Sequence, residues 1–172
     1  MKRDGWQRAR TAEQRAERER QILEAAERLF ADLGYERVTM QMIAREIGVS
    51  QSNLYRYFST REEVFLRLFL DDLSLWLEEV IAFLGPDMDM ETFAEGWTDI
   101  LLRQKRLLEL HPHLAVSLER NASEGVYRET KLRFRALLER GLSALRAALP
   151  FPSDGAALAF LQVHVGLTSG LA

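Results

Sequence analysis

The sequence contains no cysteine and only four prolines, and these shortages exclude several classes of protein. Without thiols the chain has no disulfide framework, no thiolate nucleophile and no cysteine-based zinc site. The N-terminus lacks the apolar stretch of a signal peptide, which predicts an intracellular, cytoplasmic protein. The longest uncharged run, residues 155–172, contains polar side chains and is short for a membrane span of about 20 residues, so we expect no membrane partner.

Charge of neither sign dominates, because the net charge of the 172 residues is −3. The distribution is nevertheless uneven. Residues 1–61 hold 12 Lys or Arg and 9 Asp or Glu, whereas residues 62–172 hold 11 and 17. A basic first part predicts that any polyanion binds there. An asymmetry of this size also arises by chance in helical proteins, so it permits DNA binding without establishing it.

Apolar residues recur at helical spacing along nearly the whole chain, and no alternating or hairpin pattern indicates a sheet. The Arg- and Glu-rich residues 13–20 are interpreted as the solvated start of a first helix that ends at Gly34. Capping-box spacings predict a long helix from about Arg61 to Gly85. Further helices are predicted over residues 90–110, 112–120, 125–149 and 155–172. The sequence therefore predicts an all-α fold.

Residues 39–57 carry the most specific pattern, that of two short helices joined by a tight turn, a helix-turn-helix. Ala44 is small where the second helix must cross the first, and Gly48 can adopt the positive φ of the turn. The crossing is fixed by apolar side chains at Ile43, Ile47, Val49 and Leu54. The alternative interpretation is a plain helical hairpin with a polar surface.

The second of these helices is predicted from Ser50 to about Tyr57, with its polar side chains facing outward. Gln and Asn can read adenine edges, whereas Ser, Tyr and backbone amides at a helix start suit phosphates. The candidates for DNA contact on this helix are Ser50, Gln51, Ser52, Asn53, Tyr55, Arg56 and Tyr57.

Residues 20–69 resemble the DNA-binding domain of the tetracycline-repressor (TetR) family of bacterial transcriptional regulators. The resemblance rests on Ala-Ala-x-x-Leu-Phe-x-x-x-Gly, Ile-Ala-x-x-Ile-Gly-Val-Ser and Leu-Tyr-x-Tyr-Phe. It implies that Gln51 and Ser52 read bases and that Gln41 approaches one. The DNA backbone contacts that it implies come from Thr39, Asn53, Tyr55, Tyr57 and Arg61, the last at a position where the family usually has lysine.

The resemblance also implies a division into two all-α domains. Residues 1–60 would form an N-terminal arm and a three-helix helix-turn-helix domain, and residues 61–172 a helical bundle for ligand binding and dimerisation. Arg3, Arg8 and Arg10 either enter a minor groove as an arm or belong to a disordered tail. Because relatives usually carry one more helix, the chain is expected to be truncated at its C-terminus relative to its gene.

A single recognition helix of about seven residues reads few bases, whereas two copies about 34–36 Å apart on a two-fold axis double the contacts. We therefore expect a homodimer. The candidate interface is residues 155–172, with help from residues 125–149, because Gly166, Ser169 and Gly170 allow close helix approach. The alternative is that residues 155–172 form an internal core helix with His164 hydrogen-bonded inside it.

A cavity for a small apolar or amphipathic effector is expected among the helices after residue 61. Each candidate lining residue can also be ordinary core. The candidates are Trp76, Phe93, Trp97, Leu101, His111, His113, Leu114, Leu118, Tyr127 and Phe134. His111 and His113 flank a proline and lack a third spaced ligand, so they indicate a helix start and no metal site. No cofactor is expected.

The function expected from these features is a homodimeric transcriptional repressor that binds a palindromic operator and is released when an effector binds. A dimeric DNA-binding regulator without an effector remains an alternative. A helical-bundle enzyme is disfavoured, because the sequence shows no convergent acid, base or metal set and no phosphate loop.

Overall fold

The computed structural model of the protein describes residues 3–86, 88–151, 153 and 155–161, without the side chains of residues 3–11, 115 and 116. Within these residues the fold is all-α and contains no strand, which confirms the predicted class. The chain divides into two compact units, Met1–Leu68 and Phe69–Ala172, later than the boundary expected at Arg61. The expected interface residues Gly166, Ser169 and Gly170, and His164, lie outside the described residues.

Seven α-helices have defined bounds in the described part of the chain. They are α1 (Arg3–Leu33), α2 (Met40–Glu46), α3 (Gln51–Leu54), α4 (Arg61–Phe83), α5 (Met90–Arg103), α6 (Lys105–Leu110) and α7 (Glu124–Ala148). Residues 155–161 are also helical. None of these helices combines the length and the apolarity that crossing a bilayer would require.

The core of the first unit forms where α1 packs on α2 and α2 packs on α3. Helix α1 contributes its apolar face to this core, since Ile22, Ala25 and Ala26 are completely buried. The ring of Phe65 on α4 lies 5.8 Å from that of Phe30 and 5.1 Å from that of Tyr35. Contacts of this geometry are favourable for aromatic pairs beyond the area that they bury. Helix α2 and the turn at Tyr35–Arg37 thus pack against α1, and α3 packs against α2.

Side-chain caps fix where the helices of the first unit begin. The hydroxyl of Thr39 accepts from the backbone N–H of Met42 at 3.2 Å, and that of Ser50 accepts from the N–H of Asn53 at 3.3 Å. Before α4, Thr60 accepts from the N–H of Glu63. These bonds satisfy amides that have no partner inside a helix, so they confirm the predicted starts.

The structure corrects two predicted bounds in the first unit. Helix α1 begins at Arg3, well before the expected start near residue 13, so residues 3–10 belong to a helix and not to a disordered tail. Ion pairs of Arg15 with Glu19 and of Arg20 with Glu17 stabilise its middle turns. Helix α3 ends at Leu54, and residues 55–57 continue as a turn.

The turn between α2 and α3 uses the positive φ predicted for Gly48, which is 69°. No atom would lie within 4 Å of a Cβ at this position, so Gly48→Ala tests backbone strain alone. We expect the substitution to lower the free energy of unfolding by about 1–2 kcal/mol, measured by urea denaturation. Gly125→Ala, in the first turn of α7 and equally free of contacts, is the control and should stabilise by about 0.5 kcal/mol. Equal effects of the two substitutions would contradict this explanation.

The second unit departs from the predicted helices at two places. The helix predicted over residues 90–110 is interrupted at Gln104, whose φ and ψ are −88° and 60°. Arg106 in α6 then forms two hydrogen bonds, of 2.7 and 2.6 Å, with the carboxylate of Asp72 on α4. Residues 112–120 were predicted as one helix but form a 3₁₀ turn, His111–His113, and a π-helical turn, Leu114–Leu118. Pro112 cannot donate the bond that a regular helix needs there.

Candidate nucleic-acid interface and effector cavity

The outer surface of the helix-turn-helix carries the predicted polar side chains. Gln51 and Tyr55 are exposed, and the side-chain amide of Gln51 donates to the Tyr55 hydroxyl at 3.0 Å. Leu54, on the opposite side of α3, is buried. The buried Ala44 gives α3 room to cross α2 closely, as predicted. The same crossing therefore buries the apolar side and leaves Gln51 and Tyr55 facing solvent.

An open concave surface brings part of the predicted set together. The side chains and backbone that line it include Thr39, Gln41, Gln51, Tyr55 and Arg61. Ser59, Thr60 and Glu62 also line this surface, and no feature of the sequence had marked them as DNA-contact candidates. Their position follows from the fold, because the segment that caps α4 runs beside α2 and α3.

The other candidates lie beside this concave surface. Ser50 and Ser52 are exposed with their hydroxyls 3.1 Å apart, and Arg56 is exposed. Asn53 is half-buried. Tyr57 is also half-buried, and the guanidinium of Arg15 lies 5.6 Å from its ring centroid. Of these, Ser52 and Arg56 leave the most side chain free for a partner.

Arg61 is engaged within the protein. Its Nη1 donates to the backbone carbonyls of Val38, Tyr35 and Glu36 at 2.9, 3.2 and 3.3 Å. The guanidinium also lies over the Tyr35 ring, 4.7 Å from its centroid, and Nε donates to Glu62. Arg61 therefore holds the start of α4 against the segment that leads into α2.

A cavity of about 130 Å³ lies within the second unit. It is lined by residues of α4 through α7 and by Leu161. Six of the ten predicted lining residues line it, namely Trp76, Trp97, Leu101, His111, Leu114 and Phe134. The space lies among side chains that sequence periodicity had marked as core.

Four predicted lining residues lie elsewhere in the second unit. Phe93 is buried in an aromatic cluster, 5.4 Å from Trp97 and 5.7 Å from Phe160 between ring centroids. Leu118 is completely buried, whereas Tyr127 is exposed. His113 lies in the 3₁₀ turn outside the cavity wall. Helical periodicity shows which face of a helix is apolar but not which apolar side chains leave a gap between them.

The cavity wall is almost entirely apolar. Burial lowers the pKa of His111, so its imidazole is neutral near neutral pH. Its ring stacks on Phe69 with centroids 6.1 Å apart. Among the described residues, no group of three or more His, Asp or Glu side chains is placed to hold a metal ion.

Comparison with protein families identifies both units. A family model described as bacterial regulatory proteins of the tetR family matches residues 22–68, which contain the helix-turn-helix. A second, described as a tetracyclin repressor-like C-terminal domain, matches residues 70–172. The chain belongs to the TetR family. This TetR-family protein is a DNA-binding transcriptional regulator, and its family is not a class of enzymes.

Individual relatives agree with this assignment. The chain is 30% identical over 171 residues to the HTH-type transcriptional regulator YfiR of Bacillus subtilis, covering 91% of this chain and 81% of YfiR. It is 33% identical over 102 residues to the HTH-type transcriptional repressor AcnR of Corynebacterium diphtheriae, covering 59% of this chain and 47% of AcnR. The TetR-family regulator PfmR of Thermus thermophilus shares the fold, with a TM-score of 0.53 at 21% identity and coverage of 86% and 84%.

The contacts of Arg61 in this TetR-family protein yield a prediction about stability. Arg61→Lys keeps the positive charge but cannot stack on the Tyr35 ring while donating from two separate nitrogens, as Nη1 does to the carbonyls and Nε does to Glu62. We expect it to lower the free energy of unfolding by about 1–2 kcal/mol in urea denaturation. Arg45→Lys, an exposed change near the end of α2, is the control and should have almost no effect. If Arg61→Lys is as stable as the parent protein, the stacking on Tyr35 and the Nε bond to Glu62 contribute little.

Proposed function

We propose that this regulator is a homodimer that binds a palindromic operator through two copies of the Gln51–Tyr57 surface. The supporting observation is the exposed pair of Gln51 and Tyr55 on a helix whose opposite side is buried. An amide side chain at this position can form two hydrogen bonds with an adenine edge in the major groove. Ser52 would read a neighbouring base and Gln41 would approach one. The DNA-backbone contacts would come from Thr39, Ser50, Asn53, Arg56 and Tyr57.

Arg61 has a different role in this proposal from the one that the resemblance implies. Its side chain is already bonded to the Tyr35–Val38 segment, so it orients α2 and the Thr39 cap instead of contributing a free charge. Arg61→Ala would then weaken operator binding indirectly. The loss of operator affinity should accompany a loss of stability.

The cavity in the second unit supports a small-molecule effector that releases the operator. Phe69, Leu73 and Trp76 of its wall lie on α4, the same helix that begins at Arg61. A ligand that fits one position of α4 better than another shifts the population between two states of the protein. We propose that the ligand favours the state that does not bind DNA. Ligand binding would then lower the population of the DNA-binding state and relieve repression.

Fluorescence anisotropy with labelled DNA from the gene's own upstream region tests operator binding. We expect two protomers per duplex, by analytical ultracentrifugation of the complex, and an affinity that falls steeply as salt increases. One protomer per duplex would contradict the homodimer. Equal affinity for upstream and unrelated DNA would contradict operator recognition.

A thermal-shift screen of small uncharged aromatic and alicyclic compounds tests the effector. Compounds that raise the melting temperature should also lower operator affinity, because ligand binding to one state favours that state. If stabilising compounds leave operator affinity unchanged, the protein is a regulator without effector release. The anisotropy experiment does not depend on this result.

A further inference from the structure

One buried donor in the cavity wall finds no acceptor in the described part of the chain. Trp76 is 8% exposed, and its indole Nε1–H has no hydrogen-bond partner there. A buried donor without a partner has given up its hydrogen bonds to water and gained nothing in exchange. Nε1 itself is buried, so an acceptor on a molecule in the cavity restores the missing bond where neighbouring side chains shift to admit it.

We infer that the effector is an uncharged, largely apolar molecule of about the size of one ring, whose acceptor oxygen or nitrogen bonds to Trp76 Nε1. This inference rests on the proposed effector function of the cavity. It adds the chemical class of the ligand and the atom that selects it.

The absence of charge in the wall excludes an anion or a cation as the preferred ligand. None of the described lining residues is Asp, Glu, Lys or Arg. Transferring an ion from water into such surroundings without a partner is very unfavourable. A carbonyl, ether or nitrile group keeps an acceptor without this cost.

The size of the cavity limits the ligand to a compact molecule. Its volume is about 130 Å³. An engineered apolar cavity of about 150 Å³ in another protein binds benzene. The side chains of Leu73, Leu108 and Leu138 in the wall are only partly buried and can adjust to a short substituent.

A second partner for the Trp76 N–H has to be distinguished from the ligand. The rings of Trp76 and Trp97 meet edge to face, with centroids 5.0 Å apart and an interplanar angle of 87°. An N–H directed at an aromatic face is a weak hydrogen bond. If the Trp97 ring satisfies this donor, the protein will not distinguish ligands by their acceptors.

The test compares acetophenone with α-methylstyrene, which has the same shape and the same number of heavy atoms but a methylene group in place of the carbonyl oxygen. Dissociation constants are measured by calorimetry for the parent protein, for Trp76→Phe and for the control Trp6→Phe, whose tryptophan lies on α1 in the first unit. We expect the ratio of the two constants to change by about 3- to 10-fold in favour of α-methylstyrene in Trp76→Phe. In Trp6→Phe the ratio should stay that of the parent.

The ratio of the two dissociation constants reports the hydrogen bond and not the packing, because any space left by the smaller phenylalanine weakens the binding of both compounds alike. An unchanged ratio in Trp76→Phe, with both compounds still bound, would overturn the assignment of Trp76 and leave the effector site intact. If neither compound binds the parent protein at millimolar concentration, the proposed effector site itself fails. Benzoate, the charged analogue, should bind at least about 10-fold more weakly than acetophenone.

The indole resonances of the parent protein give a readout that does not depend on a folded Trp76 variant. The chain has three tryptophans, so its ¹H–¹⁵N spectrum contains three indole signals, and Trp97→Phe and Trp6→Phe assign the remaining one to Trp76. Acetophenone should shift the Trp76 indole proton downfield relative to its position with α-methylstyrene. The same position with both ligands would overturn the inference.

Discussion

Gln51→Ala is expected to lower operator affinity by about 30-fold to 20,000-fold, the largest effect of any single substitution in the first unit. One side-chain amide that reads a base through two hydrogen bonds contributes about 1–3 kcal/mol of discrimination. The proposed homodimer would lose two copies at once, and about 2–6 kcal/mol corresponds to this range of affinity. The measurement is anisotropy with the operator duplex at fixed salt concentration.

The loss should be specific to the operator sequence. Binding to unrelated DNA depends mainly on phosphate contacts, so Gln51→Ala should leave it and its salt dependence nearly unchanged. Gln21→Ala is the matched control, since Gln21 lies on α1 and donates to Glu17 of the same helix. A parallel loss of affinity for both kinds of DNA would contradict base reading by Gln51.

Tyr55→Phe gives a smaller, diagnostic effect at the same place. It removes only the hydroxyl that accepts from the Gln51 amide. If that bond holds Gln51 in position for a base, operator affinity should fall by about 3- to 10-fold. An affinity equal to that of the parent would mean that Gln51 reorients freely on DNA.

Asp72→Asn is expected to destabilise the protein by about 3 kcal/mol, the largest stability effect among the substitutions considered. Asp72 is 5% exposed and forms a bidentate pair with the guanidinium of Arg106. The amide keeps the shape but leaves the charge of Arg106 without its counter-ion in a largely buried place. For a protein of this size the melting temperature should fall by about 6–12 °C in calorimetry.

The neighbouring ion pair is the control. Arg133 on α7 pairs with Asp71 at 2.5 Å, but the two side chains are 32% and 36% exposed. Arg133→Met should therefore cost less than about 1 kcal/mol. The double replacement of Asp72 and Arg106 by leucine should recover most of the stability lost in Asp72→Asn, because no buried charge is left unpaired. Equal losses of unfolding free energy in Asp72→Asn and Arg133→Met would show that burial does not determine how much each ion pair contributes to stability.

The sequence predicted the first unit closely because its signals are local. Thr39 and Ser50 cap helices within three residues of themselves, and Gly48 supplies a positive φ at a single position. The fold and family predicted from this motif were confirmed. The helix ends that it missed, at Arg3 and Leu54, lie where capping signals are weak or where a turn continues the helical pattern.

The second unit was harder to predict, because its features depend on contacts between distant residues. Periodicity gave one helix over residues 90–110, but the break at Gln104 accompanies the pairing of Arg106 with Asp72, 34 positions earlier. The same limit explains why only six of the ten predicted lining residues line the cavity. Most of the lining residues that the prediction omitted are leucines, which look like any other core position in a sequence.

By itself, the sequence determined the all-α class, the helix-turn-helix and the polar set around Gln51, since each depends on residues close together in the chain. Only the tertiary structure decided that Arg61 bonds to three backbone carbonyls and which apolar side chains leave a cavity. It also decided that the Trp76 indole N–H has no partner among the residues that the structure describes. The physical reason is that hydrogen-bond partners and packing gaps are properties of side chains from different helices, and no local spacing specifies them.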